Sequence, residues 1–278
     1  MSRDPGPVTG SDAPVLVASG CGGTGRELDA LGGLDGIGGF VTRTITLDAR
    51  DGGPRPRVVE SPSGFRYAVG LQNPGIDGFL ALELPWLVSR GIRVAVSISA
   101  ASLGEYADLG RRLGRSPGVA AIELNLVPPD AAGAGLFDAR EPFQAARVVG
   151  AVRRDLPAGV QLWAKPSADP GRLAETARAL AEAGADAVVL VNGLPALMPD
   201  GRPAGLAGPA IGPLALRCVH DVASQVPDLP VIAAGGVVDA DDVRALLDVG
   251  AVAVQVGSAL LHDPTAAARA AATLRGDA

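Results

Sequence analysis

The 278-residue chain is 47% hydrophobic with a mean hydropathy of +0.27, enough apolar side chain to bury a large core and a length suited to one α/β domain. Its net charge is −6, its isoelectric point is near 5.0, and no Lys/Arg run exceeds two residues, which excludes a basic footprint for nucleic acid or acidic lipid and leaves a small molecule as the expected partner. Two cysteines, Cys21 and Cys218, are too few for a disulfide framework or for an iron–sulfur cluster held by this chain alone, and no apolar run reaches the roughly 18 residues of a membrane span.

Residues 1–13 are rich in Pro, Gly, Ser and Asp and lack an apolar signal core, so they read as a disordered lead-in to one domain over 14–278, and a reducing cytoplasm is the expected compartment. Short apolar or β-branched runs then recur at 15–18, 40–44, 94–98, 120–126, 161–165, 187–192, 231–234 and 252–256, each suited to a buried strand. Between them, helical spacing is predicted over 102–113, 141–155, 172–183, 213–224 and 240–249. Ser102 with Glu105 makes a capping box, and Gly184 and Gly250 stop their helices. Eight strands alternating with helices predict a (β/α)8 TIM barrel. The rival, a doubly wound open sheet, lacks its Gly-x-Gly-x-x-Gly turn, because the Gly20 to Gly25 cluster is only loosely similar.

The chemistry concentrates near strand ends. Ala233-Ala234-Gly235-Gly236 and Gln255-Val256-Gly257-Ser258-Ala259 close the seventh and eighth runs, where barrels commonly bind phosphate through backbone N–H groups. Lys165 ends an alternating apolar strand and should point inward, which calls either for a structural ion pair or for an electron-rich cofactor ring beside it. The Gly- and Pro-rich segment 200–210 reads as a loop over the site. His220 and His262 read as surface residues, Cys21 as buried packing, and no metal site is expected because no His and carboxylates have ligand-like spacing.

In order along the chain, Ala18-Ser19-Gly20-Cys21, Thr24-Gly25-Arg26-Glu27-Leu28, Thr44-Ile45-Thr46-Leu47, Gly70-Leu71-Gln72-Asn73-Pro74-Gly75, Ile122-Glu123-Leu124-Asn125, Gly205-Leu206-x-Gly208-Pro209-Ala210-Ile211, Gly235-Gly236 and Gln255-Val256-Gly257 resemble the motif series of class 1 dihydroorotate dehydrogenases. The match spans about Val15 to Pro264, and the Gly-Leu-Gln-Asn-Pro-Gly segment is most similar to the class 1B catalytic subunits, which pair with an FAD and iron–sulfur electron-transfer subunit. The resemblance implies a barrel that holds FMN, a homodimer, and flavin contacts at Ala18, Ser19, Gly20, Thr42, Ser97, Asn125, Lys165, Val191, Gly208, Gly235, Gly236, Gly257 and Ser258. Lys165 would then stabilise the anionic reduced flavin. The implied substrate contacts are Arg43, Tyr67, Gly70, Leu71, Asn73, Asn125, Asp130 and Asn192.

The departures cluster on that substrate side. Where the family carries a Cys or Ser base the chain has Pro128, which has no ionisable group, and the following Asn is Asp130. The family's Asn before the Gly-Leu segment is Tyr67, its Lys after the second strand is Arg43, its Thr or Ser after Asn192 is Gly193, and two further Asn are Val17 and Ser97. Arg43 offers a planar fork for a carboxylate or carbonyl pair, and Tyr67, or else Asp130, is the expected acid/base in place of Pro128. The expected activity is that of an FMN-dependent oxidoreductase moving hydride between flavin and a C–C/C=C bond of a small carbonyl compound, with catalytic residues Tyr67, Asp130 and Lys165. A dihydroorotate dehydrogenase of pyrimidine synthesis with an atypical base, a non-catalytic flavin-binding barrel, and a flavin-free barrel for a phosphorylated substrate remain alternatives.

Overall fold

A computed structural model describes residues 13–129, 131 and 133–276. Twelve strands run in chain order among them: β1 (Val15–Val17), β2 (Gly39–Val41), β3 (Val58–Ser61), β4 (Gly64–Tyr67), β5 (Val94–Ile98), β6 (Val119–Asn125), β7 (Gln161–Lys165), β8 (Ala187–Leu190), β9 (Leu194–Leu197), β10 (Pro203–Ala207), β11 (Val231–Ala234) and β12 (Ala253–Val256). Eight of them, β1, β2, β5, β6, β7, β8, β11 and β12, pair in parallel in that order, and β12 returns to β1 to close a barrel. All eight coincide with the apolar runs, and the (β/α)8 expectation holds.

The helices follow their patterns. Leu103–Gly114 begins where the Ser102 side chain accepts from Glu105 N at 3.2 Å, while Glu105 reaches back to Ala101 N, one residue short of a closed capping box. Pro142–Arg153, Leu173–Glu182, Gly212–Gln225 and Ala240–Asp248 fill the outer ring. Ala266–Arg275 completes it after β12, and a run from Gly75 to Ser89 with a π turn at Phe79–Glu83 lies between β4 and β5.

Period-2 alternation sorts the strand residues into two cores. Trp163 lies inside the barrel with Leu16, Val41, Ala95, Ala121, Ala187 and Ile232, its bulk matched by the small alanines around it. Residues of opposite parity, such as Val96, Ile122, Leu162 and Val188, pack outward against the helices. The same alternation puts Glu123 and Asn125 above Ala121, and Lys165 above Trp163, so polar groups take over from the apolar plug toward the carboxyl ends of the strands.

The remaining four strands form a separate antiparallel sheet, ordered β3-β4-β10-β9. This corrects the loop expected over 200–210, because residues 203–207 are strand β10. Arg202 ties its start to the neighbouring segment by donating to Pro54 O at 3.0 Å and Pro56 O at 2.8 Å.

Candidate active site

A cavity of about 600 Å³ opens at the carboxyl ends of the barrel strands, beneath the antiparallel sheet. Such a volume lies well inside the range of small-molecule sites. Its wall includes Ala18, Ser19, Gly20, Arg43, Tyr67, Gly70, Leu71, Asn125, Lys165, Val191, Asn192, Gly208, Gly235, Gly236, Gly257 and Ser258, so the structure brings together all but four of the residues expected for cofactor and substrate. Asp130 lies outside the described residues.

The other three expected contacts, Thr42, Ser97 and Asn73, stand behind the wall. Thr42 donates to Arg43 O at 2.8 Å and accepts from Ser97 N at 3.2 Å. The Ser97 hydroxyl meets Thr44 Oγ1 at 3.0 Å, which in turn accepts from Asn125 Nδ2 at 3.1 Å. Ser97 therefore acts on Asn125 through Thr44. Asn73 accepts from Thr46 N and Gly75 N and donates to Thr46 Oγ1 and Leu71 O. Its amide capacity is spent on backbone geometry, and it secures Leu71 in the left-handed region at φ 54°, a conformation that costs on the order of 1 kcal/mol in a non-glycine residue.

One end of the cavity is built from backbone. Gly235 and Gly236 leave β11 with φ of 105° and 79°, and a Cβ on Gly236 would overlap Gly212 Cα at the start of the Gly212–Gln225 helix. Glycine is required there twice, by conformation and by close approach. Among the described residues, the backbone N–H groups of Gly235, Gly236, Gly257 and Ser258 make no hydrogen bond, although all four residues line the cavity. Converging free donors of this kind, two of them opening a short 3-10 turn at Ser258–Leu261, suit an anion.

Below them sits a buried polar triad. Lys165 Nζ donates to Gln255 Oε1 at 3.1 Å, Gln255 Nε2 donates to Glu123 Oε2 at 2.6 Å, and Lys165 Nζ lies 3.8 Å from Glu123 Oε1. Glu123 is wholly buried, and its Oε1 accepts no hydrogen bond. Lys165 therefore has the structural ion pair and also faces the cavity. Sequence reasoning missed Glu123 and Gln255 as site residues; the available signal was a carboxylate and an amide at inward positions of apolar strands.

The opposite end is built from side chains. Asn192 Nδ2 donates to Asn125 Oδ1 at 3.1 Å and Val127 O at 3.3 Å, and Asn192 Oδ1 accepts from Gly193 N. Arg43 donates to Glu83 Oε1 at 3.3 Å, while its own Nε is buried without a partner. Burial pushes the Glu83 carboxyl up, with Arg43 opposing that rise. Tyr67 lines this end, and burial raises its phenol from 10.0 to about 12. Cys21, expected as packing, also reaches the wall, and desolvation raises its thiol to about 11, with Lys165 opposing. Pro128 and Pro129 complete the wall without a titratable group.

A closed parallel barrel with polar and backbone donors converging at the carboxyl ends of its strands defines a (β/α)8-barrel enzyme. The sequence profile of the family described as dihydroorotate dehydrogenase matches residues 11–275. Curated relatives named dihydroorotate dehydrogenase B (NAD(+)), catalytic subunit, share 37% identity over 260 residues in Anoxybacillus flavithermus, covering 90% of this chain and 82% of the relative. The figures are 40% over 269 residues in Geotalea daltonii (93% and 87%) and 41% over 270 residues in Desulforudis audaxviator (94% and 87%). The chain belongs to the dihydroorotate dehydrogenase family and is an oxidoreductase of the kind that acts on CH–CH bonds. No helix among the described residues is long and apolar enough to cross a membrane.

Proposed function

We propose that this protein is an FMN-dependent oxidoreductase acting on a C–C/C=C bond of a small carbonyl compound. The observation that carries the reading is a single cavity with an anion cradle of free backbone N–H groups at one end and the buried Lys165 beside it. When bound, FMN supplies hydride exchange with a carbon of the substrate. Gly235, Gly236, Gly257 and Ser258 would hold its phosphate, with Ala18, Ser19, Gly20, Val191 and Gly208 along its length. Lys165, fixed by Gln255 and Glu123, places positive charge where negative charge would develop on reduction.

At the other end Asn125 and Asn192 orient the substrate, and Arg43, held by Glu83, binds a carboxylate or carbonyl. Gly70 and the strained Leu71 shape the rim. Tyr67 takes the acid/base position in place of the absent Cys or Ser: it lines the cavity, and its phenol is a proton donor throughout the physiological range. The name "catalytic subunit" borne by the relatives supports a partner subunit for electron transfer, which we propose carries FAD and an iron–sulfur cluster, alongside a homodimeric catalytic core. Cys21 and Cys218 are free thiols, which supports a reducing, cytoplasmic setting.

The test is the visible spectrum of the purified protein, followed by anaerobic addition of dihydroorotate. A yellow protein that stays oxidised is the expected result and fits a substrate other than dihydroorotate. Bleaching would make dihydroorotate the substrate and require a base other than Pro128, and a colourless protein that takes up no FMN would overturn the reading.

A further inference from the structure

Tyr67 closes strand β4, and its Cα partner across the antiparallel pair is Gly205 of β10. Opposite residues in such a pair carry their side chains on one face, so the phenol ring lies over Gly205. A Cβ on Gly205 would sit 2.5 Å from Tyr67 Cζ and 2.6 Å from Cε1. Gly193, three residues past the end of β8, is covered by the same ring: a Cβ there would overlap Tyr67 Oη and lie 3.0 Å from Cζ. Neither glycine has a left-handed φ, so backbone conformation does not demand glycine at either position. The Tyr67 ring is what excludes a side chain.

The ring belongs to a larger surface. Phe65, two residues back on the same face, has its ring centroid 6.2 Å from that of Tyr67, tilted by 59°, and both line the cavity. The Tyr67 hydroxyl makes no hydrogen bond among the described residues. It stands at the corner where Gly193 N donates to Asn192 Oδ1, beside the Asn192–Asn125 amide pair. Two aromatic side chains, Phe65 and Tyr67, thus share one cavity with the Asn125–Asn192 amide pair, a lining that suits stacking and hydrogen bonding of a flat carbonyl-bearing ring.

Resting on the reading that this cavity binds a small carbonyl compound, we infer that Tyr67 is a specificity-determining residue: its phenol takes the room of the side chain that position 193 lacks, and it selects a planar unsaturated ring that turns a carbonyl oxygen to the hydroxyl. Gly193 is then the obligatory partner of Tyr67.

Two measurements on the FMN-loaded full chain test this. In thermal unfolding, Gly193→Ala lowers Tm by about 5 °C in the unchanged chain but causes no further loss in a Tyr67→Ala background. Should Gly193→Ala alone fail to fold, recovery of folded protein in the Tyr67→Ala background is the same result; equal losses in both backgrounds overturn the inference. In calorimetric titration with orotate and with uracil, two planar unsaturated dicarbonyl rings, Tyr67→Phe weakens whichever binds by about tenfold. Unchanged affinity, or binding of neither probe, overturns it. A chain that takes up no FMN refutes the underlying reading, whereas normal FMN loading with equal Tm losses refutes only the role of Tyr67.

Discussion

The two ends of the cavity are made of different material. The end at Gly235, Gly236, Gly257 and Ser258 presents main-chain N–H groups, while the end at Arg43, Tyr67, Asn125 and Asn192 presents side chains. A backbone cradle depends on φ angles and close approach, so few residues other than glycine fit it, but it can hold any small anion. A side-chain wall is reshaped by single substitutions that leave the strands in place. This difference lets a chain hold the glycine cradle of Gly235, Gly236 and Gly257 at one end while carrying Arg43, Tyr67 and Pro128 at the other, where the family resemblance implies Lys, Asn and a Cys or Ser.

The largest expected effect therefore lies at the backbone end. Gly236→Ala must relieve overlap with Gly212 Cα and a 2.5 Å approach to Gly212 N while adopting a left-handed φ, and it should destabilise by more than about 3 kcal/mol and abolish FMN uptake. Thermal unfolding with flavin quantitation checks it, and normal stability would break the contrast between the two ends.

Between the ends, Lys165→Met leaves the wholly buried Glu123 without its cation. A loss of roughly 3–5 kcal/mol is expected, as for one partner removed from a buried pair. Adding Glu123→Gln should restore part of it, and denaturant midpoints of the unchanged chain and the two variants measure both effects.

At the side-chain end the expected effects are smaller and depend on pH. The Tyr67 phenol titrates at about 12 when folded against 10.0 for the ordinary group, mainly because of burial. Above pH 10 the unfolded chain releases this proton while the folded chain keeps it, so stability present below pH 10 falls as pH rises through 12, by roughly 3 kcal/mol at most. Tyr67→Phe should remove that part of the alkaline slope in urea titrations run between pH 9 and 12. The Cys21 thiol, held at about 11, contributes a separate portion that survives in the Tyr67 variant. Least of all, Glu83→Gln loosens Arg43 without removing it, and should weaken binding of a carboxylate ligand such as orotate about threefold to tenfold in calorimetry while leaving FMN uptake unchanged.

Much of this was legible in the residues. The eight apolar runs are the eight barrel strands, because a buried parallel strand needs a local apolar run that sequence displays directly. Gly235-Gly236 and Gln255-Val256-Gly257 pointed to the backbone end for the same reason, since glycine requirements are local. Thr42, Ser97 and Asn73 were expected on the cavity and stand behind it. Polarity near a strand end does not reveal whether a side chain meets the cavity or a neighbouring hydroxyl or amide.

What the sequence by itself determined is the barrel, its order of strands and the family to which it belongs. Tertiary structure alone decided the antiparallel sheet, in which two local hairpins, 58–67 and 194–207, are joined across the folded chain by the pairing of β4 with β10. It also joined Glu123, Lys165 and Gln255 into one buried triad and set Tyr67 over Gly193 and Gly205. The physical reason is the same in each case: periodicity along the chain fixes which way a side chain points, but only closure of the barrel fixes which distant side chain it meets.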